Sequence, residues 1–103
     1  LRRKNIIQRH IKTLLRQAAR WTVASKQDKN PIIAMLHANY GAAYLYSMYD
    51  IASPEEIVKS GIDINKFRSE ILLTQDEATK NMVKICPDVQ PDKSYLTEIA
   101  GEI

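Results

Sequence analysis

His37, Tyr40 and Tyr44 are spaced three and four residues apart, which puts an imidazole and two phenols on one side of a helix, with Met48 continuing the row. Such a set offers proton exchange at the ring, O–H donors for a bound polar group and an apolar floor. Catalysis or metal binding needs more. No acid accompanies His37 between Pro31 and Tyr49, and no second histidine stands at metal-ligand spacing. Packing is the better reading: the phenol bodies fill contacts and their hydroxyls reach edges or buried partners. Asn39 is expected to donate a hydrogen bond from one helix to another. His37, Asn39, Tyr40 and Tyr44 together form a candidate polar helix contact with no catalytic assignment.

A second pattern is electrostatic. Arg9, Lys12, Arg16 and Arg20 recur at nearly one-turn intervals, with Arg2 almost in line, and build a basic ridge whose aliphatic stems can lie over neighbouring apolar surface. Arg2, Arg3 and Lys4 are expected to form a mobile arm ahead of it. A ridge of this kind can hold phosphates, or acidic side chains of this subunit or another. Arg2, Arg3, Arg9, Lys12, Arg16 and Arg20 are therefore the candidate contacts to a polyanion or protein partner. Nothing in the chain marks a recognition helix, a dimer spacing or an aromatic stacking platform for bases.

The remaining reactive side chains have simpler readings. Glu56 is explained by helix capping and Glu55 by solvent, while Asp76 and Glu77 are adjacent and point in different helical directions. Cys86 lies at the end of a helix and before Pro87, far from the positive helix start that favours a thiolate. His10 borders the apolar face of the first helix and is expected to pack there. The chain has no phosphate-binding glycine loop, calcium loop or zinc-type Cys/His set, so no catalytic, cofactor-binding or metal residue is assigned.

The elements that position these residues follow from length and patterning. A chain of 103 residues with 45% hydrophobic and 26% charged side chains fits one domain with a modest core. At this size roughly 60 to 68% of the unfolded surface is hidden, which leaves little room for a deep cofactor cavity beside a complete core. The formal net charge of +3 divides unevenly. Residues 1–29 carry nine basic side chains and one acid, a net of +8, whereas the remainder carries a net of −5. Head-to-tail association through opposite charges is one use of this polarity. The single cysteine excludes an intrachain disulfide and points to a reducing intracellular compartment. The chain starts at Leu1, as an excised piece would, and Arg2–Lys4 lead into a charged amphipathic run unlike a signal peptide.

Ile7, Ile11, Leu14, Ala18 and Trp21 define the apolar side of a first helix over 5–24, opposite the ridge. Asn30 and Pro31 are a start signal for a second helix running to about Tyr49, which holds no Asp, Glu, Lys or Arg. Ile33, Leu36, Tyr40, Tyr44 and Ile51 form one flank; Ala34, Ala38, Gly41, Leu45 and Met48 form another that admits a close neighbour. An element apolar on most sides is expected in the middle of a bundle, enclosed by several helices. Its 19 residues approach the ~20 of a membrane span, but His37, Asn39, Ser47 and four tyrosines are a poor match to lipid.

Ser53-Pro54-Glu55-Glu56 predicts a capping box and a short third helix ending near Ser60, with Gly61 in the left-handed terminal position and Ile57 and Val58 docking it. Asp63 caps a fourth helix whose face is Phe67, Ile71, Thr74, Ala78, Met82 and Ile85, widened by Leu72 and Leu73 and stopped at Cys86-Pro87. Residues 88–103 carry Tyr95, Leu96, Ile99 and Ile103 and read as a partly ordered tail or short docking helix. The fold class is all-α: a compact bundle over 1–87 of three long helices and one short connecting helix, followed by that tail.

The segments LLRQAARW at 14–21, KNPIIAMLHANYGAAYLYSMYDIA at 29–52, GIDINKFRSEI at 61–71 and NMVKICPD at 81–88 resemble short helical proteins encoded by large DNA viruses. The resemblance covers about half the chain. It implies a small virion or packing component and carries over no catalytic residue. Taken with the patterning, the leading expectation is a noncatalytic structural or protein-interaction component that meets other protein subunits, with a capsid association implied by the resemblance. Nucleic-acid binding or packaging through the ridge is the alternative, and a small enzyme subunit is a third.

Overall fold

The computed structural model describes residues 2–88, whose regular elements are all helices: α1 spans Arg2–Gln27, α2 Pro31–Ile51, α3 Pro54–Lys59 and α4 Ile64–Ile85. The all-α bundle expected from the patterning is what forms. The 89–103 part of the tail, with Tyr95, Leu96, Ile99 and Ile103, lies outside the described residues.

Each helix starts where local chemistry places it. Asn30 accepts hydrogen bonds from the Ile32 and Ile33 backbone N–H groups at 2.9 and 3.3 Å, and Pro31 occupies the first turn, where its missing N–H costs nothing. At α3, the Glu56 N–H donates to Ser53 Oγ at 3.2 Å while the Ser53 N–H donates to Glu56 Oε1 at 2.9 Å, closing the capping box in both directions. Gly61 follows with φ +83°, the left-handed conformation that glycine adopts without steric cost. Asp63 Oδ1 then accepts from the Lys66 N–H at 3.2 Å and opens α4.

Two helices are longer than the sequence reading has them. α1 extends three residues further at each end, so Arg2, Arg3 and Lys4 belong to its first turns and form no separate arm. α2 continues to Ile51 before Ala52 turns out of the helix. Both extensions fit residues of ordinary helix propensity with no breaker among them.

Ile11, Ala18, Ala42, Leu45, Met48, Ala52, Ile57 and Ile71 form the core, with Ile7, Leu14, Leu15, Tyr44, Tyr49, Ile64, Phe67 and Leu72 packed around it. α1 and α2 share the most extensive contact, α4 packs against α2, and α3 touches α1. The closest approach is at Gly41. A Cβ there would collide with Thr22 Oγ1 and stand 3.1 Å from the Ala18 carbonyl oxygen. Thr22 is buried and donates its hydroxyl to that same carbonyl at 2.8 Å, so the crossing has its polar atoms satisfied. One turn away, Ser25 Oγ donates to the Ala34 carbonyl at 2.6 Å and joins the two helices again.

The expectation that α2 is enclosed on most sides does not hold. Ala38 is buried at 1% exposure, yet Leu36 and Tyr40 are 40% and 41% exposed, and Ile32, Ile33, Tyr46 and Ile51 are also exposed. The flank with small residues is covered; the opposite flank, apart from the half-buried Tyr44, faces solvent. Only α1 and α4 are long enough to cover α2, and both pack on its Ala38–Gly41–Leu45–Met48 side. Similar corrections apply to Val58, Leu73 and Ile85, which are exposed, because α3 is anchored through Ile57 and α4 through Ile71, Thr74, Ala78 and Met82.

Candidate functional site

The connection between α1 and α2 returns the chain so that Trp21, near the end of α1, meets the start of α2. The Trp21 ring lies 5.0 Å from that of His37 and 5.2 Å from that of Tyr40, the second contact being nearly perpendicular, a geometry the ring quadrupoles favour. His37 and Tyr40 are 6.1 Å apart. Trp21, Tyr40, Ala43, Tyr44 and Ser47 line an open hollow on this side of the molecule. Met48 is absent from the cluster; it is fully buried in the core.

His37 has an acid of the kind that the stretch from Pro31 to Tyr49 lacks. Asp28, in the turn before α2, places Oδ2 2.6 Å from His37 Nδ1, with both side chains about a quarter exposed. An ionised carboxylate only accepts, so Nδ1 carries the proton of this bond and the ring's orientation is set. The stretch from Pro31 to Tyr49 holds no acid, as the sequence reading has it; the acid that meets His37 comes from outside it. The partner lies nine residues upstream, across a turn, where a search along the helix does not reach. Trp21 is likewise a member that the sequence places on the apolar face of α1 without connecting it to His37. Asn39 does link two helices, but as the acceptor: Gln75 Nε2 of α4 donates to its Oδ1 at 3.0 Å.

The basic ridge is where the periodicity places it. Arg9, Lys12, Arg16 and Arg20 are exposed along α1, with Arg2 in its first turn. Among the described residues none of these cations forms an ion pair; the two pairs present are His37 with Asp28 and Lys80 with Asp76. Arg3 is also exposed, but its charge acts at α3, where it adds to the forces on Glu56. The Glu56 carboxyl is held below its ordinary value chiefly by the hydrogen bond from the Ser53 N–H, with Arg3 and Lys59 as lesser contributors. Gln8 strengthens this corner, its Nε2 donating to the Glu56 carbonyl at 2.8 Å. His10 is exposed, not packed: it lies about 100° around α1 from the buried Ile11 and falls off the covered side.

The arrangement holds no group of three or more His, Cys, Asp or Glu able to bind a metal among the described residues. No described helix is long and apolar enough to cross a membrane. Cys86 is a free, partly covered thiol at the end of α4. What the surface offers is therefore two contrasting faces: the cationic ridge of α1 and the uncharged outer face of α2, flanked by the Trp21–His37–Tyr40 cluster. Family models, curated proteins and solved structures were each compared with the chain, and none matches.

Proposed function

We propose that this protein is a noncatalytic interaction component of a larger assembly and that the outer face of α2 is the surface by which it docks. The observation that supports this reading is the exposure of Ile32, Ile33, Leu36, Tyr40 and Tyr46, between 39% and 52%, on a helix with no Asp, Glu, Lys or Arg from Pro31 to Tyr49. A solvated helix face ordinarily carries charge, and a contiguous apolar strip is characteristic of a surface that meets protein. Tyr40 and the neighbouring Trp21 are residue types that anchor protein interfaces. The likeness to short helical proteins of large DNA viruses suggests a virion as the assembly. A photoreactive residue in place of Tyr40, activated in the native source material, tests the reading. A defined protein adduct is expected; adducts no different from those of a probe at exposed Lys80 would overturn it.

The ridge supports a second reading, contact with nucleic acid or another polyanion, because its exposed cations have no carboxylate partner among the described residues. Titration with duplex nucleic acid at about 50 and about 200 mM salt decides it. Binding that weakens steeply with salt is expected, and absence of binding at the lower concentration overturns the reading.

A further inference from the structure

Ile32, Leu36, Tyr40, Ala43 and Ser47 follow one another at three- and four-residue steps along the outside of α2, and all five are exposed. Bulky side chains fill the first half of this row and small ones the second. Two such rows laid antiparallel about a twofold axis at the middle of the helix are complementary in size: Leu36 of one copy comes opposite Ser47 of the other, Tyr40 opposite Ala43, and Ile32 opposite Ile51. Each large residue thus faces a small one near the axis, and the outer ends close with isoleucines.

Charge selects the same pairing. From Pro31 to Tyr49 neither copy has an Asp, Glu, Lys or Arg to strip of water or to repel its counterpart. The charges that flank this stretch in sequence are Lys29, just before the helix, and Asp50, near its end, both exposed, while the neighbouring Asp28 is taken up by His37. The antiparallel arrangement brings the Lys29 end of one copy to the Asp50 end of the other at both edges, and it sets opposite ends of the two helix dipoles together. A parallel arrangement would oppose like charges and like dipole ends.

We propose that the outer face of α2 is a self-complementary interface, on which a second copy of this chain packs antiparallel through Leu36, Tyr40, Ala43 and Ser47. The proposal rests on the reading of that face as a docking surface and names its occupant. The interface is isologous, so one substitution alters both halves of it.

Sedimentation of the full chain over a wide concentration range tests it. A reversible monomer–dimer equilibrium is expected, and Leu36→Glu weakens it by roughly tenfold or more while the helical circular dichroism is unchanged. Ala43→Arg, at an exposed position, gives a second variant should Leu36→Glu disturb folding. In a Cys86→Ser background, mixed Leu36→Cys and Ser47→Cys chains form a disulfide-linked heterodimer in preference to either variant alone. A monomer at every concentration, a dimer indifferent to both charge insertions, or equal cross-linking of the separate and mixed cysteine variants would overturn the proposal. A monomer whose Tyr40 probe still labels a different protein leaves the docking face standing and removes only the second copy as its occupant.

Discussion

His37 of α2 and Asp28 of the preceding turn are joined through Nδ1 and Oδ2 at 2.6 Å, so the one acid in the strongly basic first 29 residues is held against the next helix. The pair fixes the His37 ring beside Trp21 and ties the turn to α2.

Asp28→Ala is expected to lower stability by about 1–2 kcal/mol, less than a fully buried charged hydrogen bond because both side chains are partly solvated. His37→Ala costs a comparable amount, with the loss of its contact to Trp21 added. Urea unfolding of the two single variants and the double variant checks the pairing: their effects combine to less than their sum if the bond is formed in solution.

At the crossing of α1 and α2, Gly41→Ala is expected to destabilise by about 1–3 kcal/mol, since the new methyl meets Thr22 and the Ala18 carbonyl. The fixed backbone oxygen prevents a side-chain adjustment from relieving the contact. Ala38→Leu, at a neighbouring buried position, carries a penalty in the same range. Both are read from the midpoint of chemical denaturation, and an unchanged midpoint for Gly41→Ala would show that the helices do not approach this closely.

Acid should loosen α3 selectively. Because the folded state holds the Glu56 carboxyl below its ordinary value, the group's stabilising contribution is fully present above the unfolded carboxylate value of about 4.3 and is lost as pH falls through the lower, folded one. The Ser53 amide resonance, followed by NMR from neutral pH downward, should report loss of its bond to Glu56 over that interval. Glu56→Gln keeps an acceptor in place without a titrating group, and its Ser53 signal should stay level through the same range.

If the ridge binds duplex nucleic acid, Arg9, Lys12, Arg16 and Arg20 set its salt dependence. Four phosphate contacts give a slope of about −3.6 in log affinity against log salt, and Arg16→Ala lowers its magnitude by about 0.9. A slope unaltered by Arg16→Ala would place the contact elsewhere on the molecule.

Much of the fold is legible from local signals. The Asn30-Pro31 start, the Ser53/Glu56 box, Gly61 and the Asp63 cap are short-range devices, and each has the bonding partner or backbone angle that its residue type implies. The ridge is legible for the same reason, being a matter of angular spacing on one helix. Two features are not. Whether an apolar flank is covered depends on how many long neighbours exist to cover it, and the periodicity of α2 does not reveal that α1 and α4 both choose the side with Ala38 and Gly41. The partner of His37 is hidden because it sits in the turn, and only the reversal of the chain brings Asp28 back to the ring.

The two helices with the largest shared surface are also neighbours in sequence, separated only by residues 28–30. Closing so short a loop forfeits little chain entropy, so the α1–α2 hairpin has a kinetic head start, and α4 must wait for a longer excursion through α3 before it can dock. The order of assembly then runs from the amino end, with the last helix the first to open again; amide hydrogens of α4 should exchange with solvent ahead of those flanking Gly41.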